Sequence, residues 1–146
     1  MDRKKRQETP QADHRSVPAD TAGRIVSAAT RLFADKGYDG TSIKDICDAA
    51  GVNIAAINYH FDSKDNLCRH IIGQFAAENL ASARRTLQAS GTAEDFKVRL
   101  EIFLGQTIEA MIKQKDIVRL IQQEMDKSDS RCSAMLRDTF MKHAQT

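Results

Sequence analysis

One short stretch of the chain carries side chains suited to contact with nucleic acid. In a helix over residues 54–61, Ile57 and Phe61 lie four apart and face inward. The other positions hold small or hydrogen-bonding side chains that are left outward: Ala55, Ala56, Asn58, Tyr59 and His60. Alanine lets a backbone approach a surface closely, and asparagine, tyrosine and histidine can donate hydrogen bonds to phosphates or base edges. These residue types predict a surface that contacts nucleic acid.

Two helix signals position this surface. Ser42 and Asp45 form a capping box that starts a helix with one apolar face. Gly51 ends that helix, because glycine takes a left-handed C-cap without a Cβ penalty, and Asn53 is a favoured N-cap for residues 54–61. Two short helices joined by a tight glycine turn are typical of a helix-turn-helix.

The composition predicts an all-α fold for this chain of 146 residues. Both prolines lie within the first 18 residues, so a helix is permitted anywhere beyond them. We divide the chain into a disordered basic tail at 1–19, a helix-turn-helix DNA-binding domain at 20–66 and a partial all-helical regulatory domain at 67–146. A long helix starting at Lys64 connects the last two. Apolar residues lie on nearly every side of the segment 93–115, which predicts a helix surrounded by others.

The charge of the chain is unevenly distributed. Residues 20–66 carry five basic and seven acidic side chains. A DNA-binding module is normally basic, because phosphate neutralisation supplies most of its affinity. The tail contains a basic run: Arg3, Lys4, Lys5 and Arg6. We interpret this run either as a flexible arm that contacts DNA or as a solvated tail without a specific partner.

Other functional classes find little support in the sequence. His60 and Asp62 are the nearest candidates for an acid–base pair, but no nucleophile accompanies them, so we predict no catalytic residues and no enzyme. The histidines lack ligand spacing, so we predict no metal and no cofactor. Cys47, Cys68 and Cys132 form no CxxC pair and are interpreted as reduced thiols of a cytoplasmic, nucleoid-associated protein. A redox-sensing role is the alternative to simple packing.

The first half of the chain resembles a known family. The segment IVSAATRLFADKGYDGTSIKDICDAAGVNIAAINYHFDSKDNL is similar to the N-terminal DNA-binding domain of the TetR family of bacterial transcriptional regulators. The resemblance covers about Thr21 to Leu67 and joins a first-helix motif, A..LF...G, to the AGV turn and the exit YHF.SK..L. Beyond Leu67 it extends only to the order of the helices. It implies a ligand-responsive repressor that binds double-stranded DNA.

The resemblance also implies which residues contact DNA. Nine positions match those that touch phosphate or face the major groove: Thr41, Ser42, Asn53, Ala55, Ala56, Asn58, Tyr59, His60 and Lys64. Capping is an equally good role for Thr41 and Ser42, and the two roles are compatible. Asn58 stands where the family often has an aromatic residue, and the bidentate match of asparagine to adenine makes it a candidate base contact.

The regulatory part of the chain departs from the family pattern. Family members usually continue into two further C-terminal helices through which they dimerise on a palindromic operator. This sequence ends about where those helices would begin, which we interpret as truncation or as a different mode of dimerisation. Candidates for a pocket that binds an unidentified small-molecule inducer are Phe103, Thr107, Met111, Ile121 and Met125. Such a stripe is also typical of plain core.

One hypothesis from a different class is kept beside the regulator. The acidic balance of residues 20–66 is compatible with a helical protein-interaction module without autonomous DNA binding. This hypothesis predicts that the chain does not bind double-stranded DNA. The clustering of Tyr59, His60 and Lys64 at one edge of the helix-turn-helix favours the regulator.

Overall fold

The computed structural model describes residues 20–88, 91–127 and 129–144, with side chains described as far as residue 142. Over these residues the chain folds into seven α-helices without a strand, which confirms the predicted all-α fold. The helices are α1 (Thr21–Lys36), α2 (Ile43–Ala50), α3 (Ile54–Phe61), α4 (Lys64–Thr86), α5 (Ala93–Lys113), α6 (Lys115–Met125) and α7 (Arg131–Ala144). The tail at 1–19, with the proposed arm of Arg3, Lys4, Lys5 and Arg6, lies outside the described residues.

The predicted caps of α2 and α3 are confirmed. The Ser42 hydroxyl accepts a hydrogen bond from the Asp45 amide at 3.0 Å, and the Asp45 carboxylate accepts one from the Ser42 amide at 2.9 Å. Gly51 ends α2 at φ 64°, in the left-handed region that glycine adopts without strain. The side-chain oxygen of Asn53 accepts a bond from the Ala56 amide at 3.0 Å and starts α3. These local signals set where α2 ends and where α3 begins.

The turn between α1 and α2 folds back into the core. Gly37 ends α1 at φ 76°, as predicted, and its amide donates to the Phe33 carbonyl at 2.9 Å. Tyr38 follows it, is 1% exposed and packs against Phe33 with ring centroids 5.4 Å apart. An aromatic pair of this geometry contributes about 1 kcal/mol beyond its buried area. The turn is therefore anchored from inside as well as by its backbone.

One cluster of buried side chains runs through most of the chain. Its members come from every helix except α5: Ile25, Phe33, Ile46, Ile57, Leu67, Ile72, Leu120 and Leu136 are representative. Each such side chain contributes roughly 2 kcal/mol when it leaves water. Because the cluster crosses the boundary expected at residue 66, the helix-turn-helix and the later helices share one core.

Helix α4 connects the two parts of the chain. It begins at Lys64 as predicted, where the Ser63 hydroxyl accepts a hydrogen bond from the Asn66 amide at 3.2 Å. Its 23 residues span roughly 34 Å. It packs against α1, α3, α5, α6 and α7. No helix in the described ranges is long and apolar enough to cross a membrane.

The prediction that α5 is surrounded by other helices is wrong for the described part of the chain. None of its residues is buried there, and Ile112 is 70% exposed. Helix α5 packs on α4 and α6, and its outer side faces solvent. The large exposed apolar side chains of this helix are Phe96, Val98, Ile102, Leu104, Ile108, Met111 and Ile112. Apolar residues on every side of a helix predict burial on every side. That burial occurs only where other helices or strands pack against those sides.

Candidate nucleic-acid interface

Helix α3 presents an exposed surface without ionised side chains. Its residues, which we call the α3 face, are Asn53, Ile54, Ala55, Asn58 and Tyr59. Tyr59 is 77% exposed and Ile54 is 60% exposed, whereas Ile57 on the opposite side is fully buried. Ile57 therefore anchors the helix while the α3 face remains open to solvent. Four of the nine sequence-predicted contact residues lie on this face.

Ile54 was not among the predicted contact residues. An exposed isoleucine at the start of a short helix leaves apolar area in water, which is unfavourable by about 25 cal/mol per Å². On DNA, an apolar side chain at this position can contact a thymine methyl group. Residues three apart lie on neighbouring sides of a helix, so spacing alone does not separate the exposed Ile54 from the buried Ile57.

The side chain of His60 is placed differently from the prediction. Its Nε2 atom is buried and has no hydrogen-bond partner among the described residues. Its ring lies edge-on to Tyr59, with centroids 5.0 Å apart, and 6.0 Å from the ring of Phe61. Phe61 in turn lies 5.4 Å from the ring of His70 in α4. His60 thus belongs to an aromatic row that joins α3 to α4, and Ala56 beside it is also half-buried.

The side chain of Thr41 does not face a phosphate position. Thr41 is 1% exposed, and its hydroxyl lies 2.8 Å from the Gly37 carbonyl and 3.2 Å from the Leu32 carbonyl at the end of α1. The hydroxyl donates to these carbonyls and so fastens the turn to the end of α1. We correct the predicted phosphate contact of Thr41 to a structural role in the α1–α2 turn.

The hydroxyl of Ser42 is exposed but already engaged. It donates to the Asp45 carboxylate at 2.7 Å in addition to accepting from the Asp45 amide. These hydrogen bonds from Ser42 hold the pKa of Asp45 below its usual value. Lys36 lies 3.6 Å from the same carboxylate. A carboxylate at this helix end occupies the place an anion would take, so capping is the confirmed role of Ser42.

The ammonium of Lys64 is largely engaged as well. It donates to the carbonyls of Tyr38 at 3.1 Å and Thr41 at 3.0 Å, and it lies 4.2 Å from the centroid of the Tyr38 ring. Lysine has three N–H donors, so one remains for a phosphate. Lys64 therefore fastens the α1–α2 turn to the start of α4.

A buried polar network ties the same turn to the later helices. The Tyr38 hydroxyl donates to Asp65, and burial together with this bond raises the pKa of Tyr38. Glu124 of α6 is fully buried and accepts bonds from Lys127 at 2.8 Å, from Ser130 at 2.5 Å and from the Tyr38 amide at 3.5 Å. Burial alone would raise the pKa of Glu124, but the bonds from Lys127 and Ser130 outweigh it and hold the pKa below its usual value. The helix-turn-helix is thus coupled to α6.

Two arginines reach the helix-turn-helix from α6 and α7. Arg119 of α6 lies 3.1 Å from Asp35, and Arg131 of α7 lies 3.8 Å from Asp65. All four side chains are partly exposed, so each pair contributes at most about 1 kcal/mol. Their effect on charge is larger than their effect on stability, because they offset the acidic excess of residues 20–66.

Two hollows lie beside α4. The larger, about 350 Å³, is open to solvent and is bordered by α1, α4, the end of α5 and the start of α6, and its apolar lining includes Val26, Phe75 and Ile117. The smaller, about 200 Å³, lies between α4 and α5 and is lined by Thr107, one of the candidate pocket residues. The other candidates are half-buried or exposed and line neither hollow: Phe103, Met111, Ile121 and Met125. Ligand sites usually occupy about 300–1,000 Å³, so only the larger hollow falls within that range.

The helix-turn-helix is similar to that of known regulatory proteins. Residues 25–71 match the family model described as bacterial regulatory proteins, tetR family. The chain is 31% identical over 116 residues to the HTH-type transcriptional repressor KstR2 of Rhodococcus jostii (strain RHA1), a match that covers 80% of this chain and 55% of that protein. It is 43% identical over 44 residues to the biofilm operon icaADBC HTH-type negative transcriptional regulator IcaR of Staphylococcus aureus (strain Newman), covering 30% of this chain and 24% of that protein.

The fold is similar to that of solved structures. A transcriptional regulator (TerR/AcrR family) from Aquifex aeolicus VF5 superposes with a TM-score of 0.69 at 21% identity, covering 86% of this chain and 67% of that chain. At this identity the likeness shows the fold alone. The chain spans about half the length of the KstR2 repressor that it matches.

Proposed function

We propose that the protein, whose residues 25–71 match the family model described as bacterial regulatory proteins, tetR family, is a sequence-specific regulator of transcription that represses by binding double-stranded DNA. The observation that carries the proposal is the α3 face. It is exposed and uncharged, and it is held by a capped helix whose buried Ile57 leaves it no freedom to rotate. Such a surface suits a major groove, where base edges are read by hydrogen bonds and apolar contacts.

Each residue of the α3 face has a distinct part in the proposed complex. Asn58 offers an amide that pairs with adenine through two hydrogen bonds, and Ile54 offers an apolar contact for a thymine methyl group. Ala55 permits close approach of the helix to the groove. The Tyr59 hydroxyl, on a ring braced by His60, donates to a backbone phosphate. Asn53 caps α3 and lies at the helix end that enters the groove first.

The proposed phosphate contacts are few, so a single chain should bind DNA with low affinity. The remaining N–H of Lys64 and the Tyr59 hydroxyl are proposed to contact the backbone, together with the tail at 1–19. A two-fold homodimer on a palindromic operator would double these contacts and place two α3 helices one helical turn apart. We propose this assembly, and a cytoplasmic location at the nucleoid, from the family relationship. The predicted inducer is proposed to act through the regulatory helices.

The larger hollow beside α4 is the proposed ligand site. Its walls come from α1 of the DNA-binding part and from α4 and α6 of the regulatory part. A small molecule there would touch both parts and bias the position of α1 relative to α6. The coupling of Tyr38 to Glu124 lies along the same α1–α6 contact.

The experiment that tests the proposal is a binding titration on selected DNA. A randomised double-stranded library is first enriched on the full chain, and the selected sequence is then titrated by fluorescence anisotropy. Tyr59→Ala and Asn58→Ala should each weaken binding by about tenfold or more, since a good contact to a base or phosphate contributes about 1–3 kcal/mol. Met141→Ala, which truncates a similarly exposed side chain in α7, is the matched control and should bind unchanged.

Two outcomes would count against the proposal. If both α3 variants bind as tightly as the unmodified chain, the α3 face does not read the operator. If no sequence is enriched at any protein concentration, the protein-interaction module becomes the better hypothesis. The acidic balance of residues 20–66 favours that module, but Arg119 and Arg131 offset this balance from outside the segment.

A further inference from the structure

Two cysteines that are distant in the sequence meet inside the core. Cys68 of α4 and Cys132 of α7 are both fully buried, and their Sγ atoms lie 3.4 Å apart. They are 64 positions apart in the chain. The third cysteine, Cys47, is buried in α2 within the helix-turn-helix. The chain therefore holds one thiol pair in contact and one separate thiol of similar burial.

We propose that Cys68 and Cys132 are a modification site at which a reversible disulfide joins α7 to α4. The two sulfurs already touch, so bond formation requires an approach of only about 1.4 Å, within the reach of side-chain rotation and a small helix shift. The two helices pack against each other along much of α7, so the rest of the contact holds the thiols in register. The site does not depend on DNA binding.

The oxidant that fits this site is a small hydroperoxide such as hydrogen peroxide. One thiolate attacks a peroxide oxygen, which forms a sulfenic acid and releases the other oxygen as water. The second thiol then displaces the sulfenic hydroxyl as water and forms the S–S bond. In total two thiols lose two protons and two electrons, and one peroxide takes these up and becomes two waters. A small dithiol reverses the reaction by exchange.

The structure also indicates when this reaction occurs. The hydrogen bond with Cys132 and burial raise the pKa of Cys68, so its reactive thiolate is scarce while α7 is docked. Cys132 is the second residue of α7, and the helix start is fastened to Glu124 through Ser130. When that end of α7 opens locally, Cys132 meets solvent first, and redocking returns it to Cys68. The rate of oxidation should therefore follow the opening of α7.

The test uses the full chain and hydrogen peroxide. After treatment, excess peroxide is removed, the chain is denatured and the free thiols are alkylated. We expect the number of alkylated thiols to fall from three to one, with a mass loss of about 2 Da before alkylation, and peptide mapping to join Cys68 to Cys132 while Cys47 stays free. Because the bond closes a loop of about 65 residues, the melting temperature should rise by about 10 °C and return when a dithiol is added.

Two cysteine variants show which thiols form the cross-link. Cys47→Ala should keep both the cross-link and the rise in melting temperature, whereas Cys132→Ser should lose both. The wild-type thiol count needs no variant and so decides the matter even if a substitution impairs folding. Three free thiols after treatment, a gain of about 16 or 32 Da without a cross-link, or a disulfide that contains Cys47 or joins two chains would each overturn the proposal.

Discussion

Replacing Glu124 by glutamine is expected to lower the free energy of unfolding by about 2 kcal/mol. The substitution keeps the shape of the side chain and removes its charge and one of its two acceptor oxygens. The bond from the Ser130 hydroxyl to the buried carboxylate is charge-assisted and contributes about 1.5–3 kcal/mol. Lys127 is half-exposed and can return to water, so its bond contributes at most about 1 kcal/mol. The Tyr38 amide, at 3.5 Å, adds little.

The stabilisation by Glu124 should depend on pH in one direction only. The folded structure holds the pKa of Glu124 below its usual value, so the stabilisation is fully present above the pKa of the unfolded chain, about 4.3. It is lost as the pH falls through the lower pKa of the folded state. The difference in stability between the unmodified chain and Glu124→Gln should therefore be constant from about pH 6 to 8 and should shrink below about pH 4.

Urea unfolding followed by circular dichroism measures the effect. A loss of about 2 kcal/mol corresponds to a shift of the midpoint by about 1 M urea. Glu101→Gln makes the same chemical change at an exposed position of α5 and serves as the control, with an expected shift near zero. An unchanged midpoint for Glu124→Gln at neutral pH, or a difference that grows towards acid, would refute the role assigned to the buried carboxylate.

Two further predictions follow from the corrected roles of other residues. Thr41→Val should lower the free energy of unfolding by about 1 kcal/mol by urea titration and leave operator affinity unchanged, since the hydroxyl bonds carbonyls of α1. A tenfold loss of affinity at unchanged stability would restore the phosphate contact. Ile108→Glu on the exposed side of α5 should reduce fluorescence of a bound apolar dye such as ANS at least twofold, with Arg84→Glu, also exposed, as the control; equal dye binding by both variants would mean that α5 is covered.

The features that could be predicted from the sequence are those that depend on residues close together in the chain. The caps at Ser42 and Asn53 and the stops at Gly37 and Gly51 each depend on groups within a few positions, and all four are found where they were expected. The exposure of Asn53, Ala55, Asn58 and Tyr59 follows from the same local periodicity, whereas that of Ile54 was missed. Helix geometry converts spacing in the sequence directly into sides of a helix.

The features that escaped prediction depend on partners far along the chain. His60 is drawn inward by the aromatic row that reaches α4, and the sulfur contact of Cys68 joins residues 64 positions apart. The predicted burial of α5 was wrong for a related reason. Periodicity shows which side chains are apolar, but it does not show whether another element covers them. Burial of Glu124 in particular runs against the usual preference of glutamate for the surface.

The shared core has a consequence for hybrid regulators made by exchanging DNA-binding heads. A graft cut at residue 66 would separate Tyr38 from Glu124 and Asp35 from Arg119, which face each other across the cut. A donor head that matches neither contact would lose the weak bond from the Tyr38 amide and the exposed Asp35–Arg119 pair, at a cost of at most about 1 kcal/mol. The larger part of the fit is the buried apolar contact of α1 with α6, so a compatible head can be chosen by comparing the apolar side chains of these two helices.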